Sequence, residues 1–207
     1  MEWVTTMKGL APWLLVGCAA LAVGAVQAEE WRLVKDEAGI QVYLSKVPGS
    51  KYQAYRGVTR LQTDMPTLLA LQEDVGGSCA WIHACREQQL LKHEGGHSWT
   101  YTRFDTPWPV TPRDSVLEVS TQRGADGSVT RILHGVADYL PEQKGFVRVS
   151  KVDGLWSLTP KAAGEIEVVY QVHTEPGGSV PSWLANSFVV DAPFNTLKAL
   201  RKKVERP

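Results

Sequence analysis

The chain has no excess charge of either sign. Its 22 Lys and Arg balance 22 Asp and Glu across 207 residues, a formal net charge of +0. No basic stripe or run of like charge breaks that balance. Phosphate-backbone binding rests on clustered Lys and Arg, so nucleic acid is not an expected partner. The one basic cluster, Lys198, Arg201, Lys202 and Lys203, falls near the C-terminus, where it complements the negative end of a helix dipole. There is no nucleophile elbow, P-loop or dinucleotide-binding glycine loop, and no CxxC pair. Internal repeats and low-complexity segments are also absent.

Long apolar runs are confined to one place. Gly9 to Val26 is apolar, Lys8 precedes it, and Val26-Gln27-Ala28 is a small-x-small cleavage site followed by Glu29-Glu30. This is the pattern of a bacterial secretory signal peptide over residues 1–28, with a mature domain over 29–207 that is periplasmic or secreted. A rival is a lipoprotein box at Leu15-Val16-Gly17-Cys18, which would anchor the chain through Cys18. Against it, eight apolar residues follow Cys18, where a lipoprotein normally turns polar. Beyond residue 28 no apolar run is long enough to span a bilayer.

Cysteine is scarce. With Cys18 removed, Cys79 and Cys85 remain, and an even pair in an exported chain favours a disulfide. It closes a small loop, for a stabilisation of about 2 kcal/mol. A metal reading would recruit His83, His93 and His97; the disulfide is preferred and no metal is expected.

What is present reads mostly as strand. Ile40, Val42 and Leu44 alternate, Pro48-Gly49-Ser50 turns the chain, and Lys51 to Leu61 is rich in β-formers, which makes a hairpin. Thr63 or Asp64 caps a helix from Met65 to about Asp74, with Pro66 in its first turn. A short helix over Ser78 to Ala84 is expected next, then strands at 88–92 and 98–104. Three prolines between Pro107 and Pro112 force a stiff extended loop. Strands resume at 115–122, 129–137, 146–151 and 155–159, the last two split by Asp153-Gly154, and the longest runs from Glu165 to Thr174. Short turns between consecutive strands make an antiparallel sheet, and helices set apart in sequence make an α+β fold. Near the C-terminus Ser179 is the expected cap of an amphipathic helix, with Pro181 in its first turn. Val180, Trp183, Leu184 and Phe188 form one stripe, and Val190, Phe194, Leu197 and Val204 a second. Asp191-Ala192-Pro193 lies between them, where Pro193 predicts a kink, or a restart capped by Asp191.

Several stretches, in order along the mature chain, resemble the START domain, the lipid-transfer domain related to the steroidogenic acute regulatory protein. They are Gly39-Ile40-Gln41-Val42-Tyr43, Pro107-Trp108-Pro109-Val110 through Arg113-Asp114, and Val147-Arg148. Gly154 through Pro160 and Glu175 through Asn186 complete the set. The resemblance implies the helix-grip fold, a curved antiparallel β-sheet wrapped around a long C-terminal α-helix that encloses a tunnel for one lipid. It implies a carrier of a hydrophobic ligand, without cofactor or obligate protein partner, making transient contact with membranes. Sterol-binding members hold a buried acid–base pair; the matching positions here are Thr100 and Val119, which disfavours a sterol and favours a phospholipid, fatty acid or other bacterial lipid.

Under that reading the tunnel and lid candidates are Trp99, Tyr101, Arg103, Trp108, Val168, Tyr170, Val172, Trp183, Leu184, Phe188, Asp191 and Phe194. Trp99, Tyr101 and Arg103 share a strand face, so Arg103 would meet a headgroup if that face is concave. Arg113 and Asp114 match the family's Arg-Asp pair, with a structural role tying the proline loop to a strand start. Asp191 caps a helix or reaches the ligand. The rival function is a polyketide-cyclase-like enzyme using the same cavity, since the wider superfamily contains such catalysts. A catalyst needs a positioned acid–base group. The five histidines show no obvious partners, and His173 falls on a charged strand face, where a solvated role is expected. No catalytic residue is nominated.

Overall fold

The computed structural model describes Met1 and residues 30–205. Apart from Met1, the segment expected to be a signal peptide, including Cys18, lies outside the described residues.

Ten strands form one sheet. They are β1 (Arg32–Glu37), β2 (Ile40–Lys46), β3 (Gln53–Gln62), β4 (Cys85–Glu94), β5 (His97–Phe104), β6 (Arg113–Arg123), β7 (Val129–Gly135), β8 (Val147–Arg148), β9 (Lys151–Pro160) and β10 (Glu165–Glu175). The order is β1-β2-β3-β10-β9-β7-β6-β5-β4, antiparallel throughout, with β8 pairing parallel to the start of β6. The two ends of the chain thus meet in the sheet, where β3 pairs with β10 from Val172↔Tyr55 to Glu165↔Gln62. Helix α1 (Met65–Glu73) links β3 to β4, and Asp64 caps it by accepting the Thr67 N–H at 2.7 Å. The expected helix over 78–84 is only a 3-10 turn, Ser78–Ala80. Ala84 takes a left-handed φ of 55°, and Cys85, bonded to Cys79, already begins β4.

Asp153-Gly154 does not split β9, which runs unbroken past it. A Cβ at position 154 would lie 2.6 Å from the Gln171 carbonyl oxygen, so the glycine lets β10 approach instead of ending the strand. The stretch expected as strand over 146–151 is ordered only as the two-residue β8.

The C-terminus forms two helices, α2 (Ser182–Phe188) and α3 (Asp191–Val204). The break falls at Val189–Val190, before Pro193. Pro193 therefore sits in the first turn of α3, where its missing N–H has no intrahelical acceptor to lose. Ser179 does not cap α2; Pro181 occupies that position and no side chain caps the turn. Asp191 is exposed in the first turn of α3, where its charge favours the positive helix end.

Helix α3 lies on the inner face of the curved sheet and buries Pro193, Phe194, Thr196, Leu197 and Leu200. Gly57 of β3 permits this approach, because a Cβ there would be 2.7 Å from Leu197 Cδ1 and 3.0 Å from Pro193 Cβ. Under α3 the interior is filled. Trp156 stacks on Tyr170 with ring centroids 3.9 Å apart, and Trp81 and Tyr55 meet this pair edge-on at 5.8 and 5.4 Å. Val168 is fully buried beside Leu158, Leu61 and Leu197.

Candidate functional site

The filled core stops where α3 ends. Beyond it, a cavity of ≈ 190 Å³ lies between the sheet, α2 and the proline loop. Tyr55 and Val172 supply the sheet wall, and Tyr52 and Val180 close the adjoining side. Helix α2 contributes Ala185 and Phe188, and Val189 follows them. Pro107, Val110 and Arg113 come from the loop and the strand it leads into. The loop is self-closed: Val110 N–H donates to the Pro107 carbonyl at 2.9 Å, and Thr106 Oγ1 donates to the Val110 carbonyl at 2.6 Å. Few bonds hold the α2 side to the sheet. Tyr52 Oη donates to the Val180 carbonyl at 3.1 Å, and Asn186 Oδ1 accepts the Gln53 N–H at 3.0 Å.

The charged residues at the start of β6 divide between the two faces, as alternation along a strand requires. Asp114 is fully buried on the outer face. It accepts Arg148 Nε at 2.9 Å and Nη2 at 3.1 Å, a bidentate pair, and Tyr101 Oη at 2.9 Å. Arg148 also donates to the carbonyls of Ala137, Leu140 and Pro141. Asp114 therefore ties β8 and the 136–146 segment to the sheet. Arg113 turns inward and lines the cavity, 7 % exposed. Its Nη1 donates to the Thr111 carbonyl, and burial pushes its pKa down. Arg113 and Asp114 are thus not partners of each other.

The face assignment for β5 is also reversed. Trp99, Tyr101 and Arg103 lie on the outer face, away from the cavity. Trp99 stacks on Tyr139 at 6.3 Å, and Arg103 pairs with Glu87 at 2.7 Å and donates from Nε to Tyr101 Oη at 3.1 Å. The headgroup role expected of Arg103 has no geometric basis here. Of the nominated residues, Val172 and Phe188 line the cavity. Val168, Tyr170 and Phe194 belong to the packed core. Leu184 is partly buried on α2 and Asp191 is exposed; neither lines the cavity. Trp108 and Trp183 are 92 % and 73 % exposed, next to cavity-lining Pro107 and on the same helix as Ala185 and Phe188. Thr100 and Val119 are both buried and uncharged.

His173 is not solvated. It is 9 % exposed, with Nε2 at 3.1 Å from Ser50 Oγ and 3.5 Å from Glu175 Oε1. Serine and carboxylate approach the same ring nitrogen, so no hydroxyl–imidazole–acid relay is formed. Against the expectation that no HExxH spacing is present, His93-Glu94-Gly95-Gly96-His97 has that spelling of zinc enzymes. That motif needs a helix to bring both imidazoles to one face. Here it spans the β4–β5 turn, in which Glu94 pairs with His97 and His93 with Ser98, so the two imidazoles leave opposite faces. His93 Nδ1 meets Ser98 Oγ at 2.9 Å, and His97 Nδ1 meets Glu118 Oε1 at 2.7 Å. Among the described residues no group of three or more His, Cys, Asp or Glu could hold a metal ion.

The START domain model matches residues 17–207. The chain belongs to the START family. It is 57% identical over 201 residues to an uncharacterized protein of Pseudomonas aeruginosa, covering 97% of this chain and 100% of that one. The crystal structure of a STAR-related lipid transfer protein from Xanthomonas axonopodis is 39% identical, with a TM-score of 0.80, and the match covers 85% of this chain and 99% of that chain. The human phosphatidylcholine transfer protein is 26% identical over 193 residues, covering 89% and 88% of the two chains. The ten-stranded antiparallel sheet with its C-terminal helix is the START helix-grip fold.

Proposed function

We propose that this START domain binds one lipid in the cavity under α2 and carries it in the periplasm, without catalysing a reaction. The observation that carries the reading is the cavity itself: an apolar chamber at one end of a helix-grip sheet, closed by a seven-residue helix. Relatives named as lipid transfer proteins support it. The ≈ 190 Å³ of the chamber, which is partly open to solvent, is smaller than the roughly 300–1,000 Å³ of sites that take drug-sized ligands. A membrane lipid therefore enters only if α2 moves outward, with Val189–Val190 as the pivot and the Tyr52–Val180 and Gln53–Asn186 bonds released. Trp108 and Trp183 border this lid and are placed to enter a bilayer interface as it opens. Export through residues 1–28 fits the Cys79–Cys85 disulfide, which an oxidising compartment preserves.

The test is native lipid identification. Protein exported to a bacterial periplasm should begin near Glu29 and release about one lipid per chain on denaturing mass spectrometry. Chains that carry no lipid, and that take up none from vesicles of bacterial phospholipid, overturn the carrier reading. A lipid-modified Cys18 would replace the soluble form by an anchored one.

A further inference from the structure

We infer that the cavity's lipid carries an anionic group, a phosphate diester or carboxylate, and that Arg113 is the residue that pairs with it. This rests on the carrier reading above and names its ligand class. The argument is one of missing compensation. Arg113 is 7 % exposed as a residue, and a charged side chain in such a position requires a counter-charge or acceptors for its donors. Arg113 has one hydrogen bond among the described residues, to the Thr111 carbonyl, and no carboxylate within ion-pair reach. Its neighbour on the strand shows what compensation looks like: Asp114 meets Arg148 through two oxygens, and Arg148 has three carbonyls besides. Nothing comparable faces Arg113.

The cavity around it holds no acid. Its lining is apolar or neutral, with the phenols of Tyr52 and Tyr55 as nearby polar groups, and Arg113 is the single formal charge. The Tyr52 hydroxyl donates to the Val180 carbonyl, and its oxygen is a neutral partner for Arg113 that carries no formal counter-charge. Free guanidinium N–H donors in an apolar chamber form a planar fork suited to two oxygens of one phosphate or carboxylate. A neutral diacylglycerol offers no such group and would leave the charge uncompensated.

The experiment uses full-length exported protein, stripped of lipid, and three vesicle populations. Each contains an inert carrier lipid with phosphatidylglycerol, a fatty acid or diacylglycerol as the guest. Inorganic phosphate alone is titrated in a fourth arm. Wild type should take up phosphatidylglycerol or the fatty acid at least 10-fold better than diacylglycerol, the ratio expected of charge-assisted hydrogen bonds. Arg113→Met should abolish that preference, read as the ratio of charged to neutral guest taken up, and Arg113→Lys should restore part of it. Stripped Arg113→Met should also melt no lower than wild type, because an uncompensated buried charge is being removed; a merely structural arginine would lower the melting temperature. Equal uptake of charged and neutral guests by wild type overturns the inference and leaves the carrier reading standing. Uptake of no guest at all overturns the carrier reading itself. Arg113-dependent binding of phosphate alone, as tight as that of phosphatidylglycerol, assigns the site to a free anion and overturns the lipid assignment.

Discussion

Replacing Asp114 by Asn tests the buried pair on the outer face of the sheet. The change keeps the side-chain volume and removes only the charge. Asp114 and Arg148 side chains are 0 % and 4 % exposed, so solvent cannot take over. The Arg148 guanidinium would keep the neutral carbonyls of Ala137, Leu140 and Pro141 but lose its counter-charge. Breaking one side of a buried pair lowers stability by about 3–5 kcal/mol. At roughly 2–4 °C per kcal/mol for a domain of this size, melting should fall by about 6–20 °C. Urea and thermal unfolding measure both numbers. Arg148→Met should have a similar effect, because it strands the carboxylate with Tyr101 as its one hydrogen-bond donor from a side chain. The double variant should lose about 3 kcal/mol less than the sum of the two. Its residual loss reflects three carbonyls without donors, at about 1 kcal/mol each. A loss below about 1 kcal/mol for Asp114→Asn, or simple additivity in the double variant, refutes the assignment of this pair as the tie between β6, β8 and the 136–146 segment.

Two further outcomes are expected. Trp108→Ala with Trp183→Ala should slow lipid transfer between vesicles about 10-fold while moving stability by less than about 0.5 kcal/mol, because both side chains are largely exposed; an unchanged transfer rate would remove the membrane role. Burial, with Tyr170 beside it, raises the Tyr55 pKa well above the ordinary tyrosine value, so the folded state holds the neutral phenol more tightly than the unfolded chain does. The resulting stability is complete below pH ~10, where the unfolded phenol starts to ionise, and is lost as pH rises toward the folded pKa. The urea midpoint should fall as pH rises above about 10, and less steeply in Tyr55→Phe; parallel profiles would contradict this.

The antiparallel order was legible because period-two alternation is strong in strands such as Ile40-Gln41-Val42-Tyr43-Leu44 and Ile166 to Val172. The same alternation grouped Trp99, Tyr101 and Arg103 correctly on one face of β5. It does not say which face becomes concave, since that depends on the direction in which the whole sheet curls and on where α3 docks. With that face outward, Arg103 pairs with Glu87, and the arginine that lines the cavity is Arg113. Arg113 follows a proline loop that must close over something, and a strand that places Asp114 outward places Arg113 inward. Gly154 misled for a different reason: a glycine reads as a turn locally, while its use here is the 2.6 Å approach of Gln171 O, a contact 17 positions away in sequence. His173 was misread because Ser50 and Glu175 reach it from a distant turn and from the strand end.

The two C-terminal helices are held very differently, and this decides which one can act as the lid. Helix α3 seats its own Leu197 and Pro193 over Gly57 of β3, where no side chain intervenes. Its far end is bonded as well: Arg201 Nη2 donates to the Gly39 carbonyl at 3.1 Å, and Glu205 Oε1 accepts the Gln62 N–H at 2.8 Å. Midway, Thr196 Oγ1 accepts the His83 N–H at 3.0 Å. Moving α3 would therefore open a core that contains Leu197 and Leu200, both fully buried. Helix α2 presents no fully buried side chain among those described, and its side of the cavity is closed by the Tyr52–Val180 and Gln53–Asn186 bonds. Displacing it breaks at least the Tyr52–Val180, Gln53–Asn186 and Asn186–Lys51 hydrogen bonds, each worth about 1 kcal/mol net, and uncovers an apolar wall. The low-energy opening is thus at the α2 end of the cavity, the end that Arg113 lines.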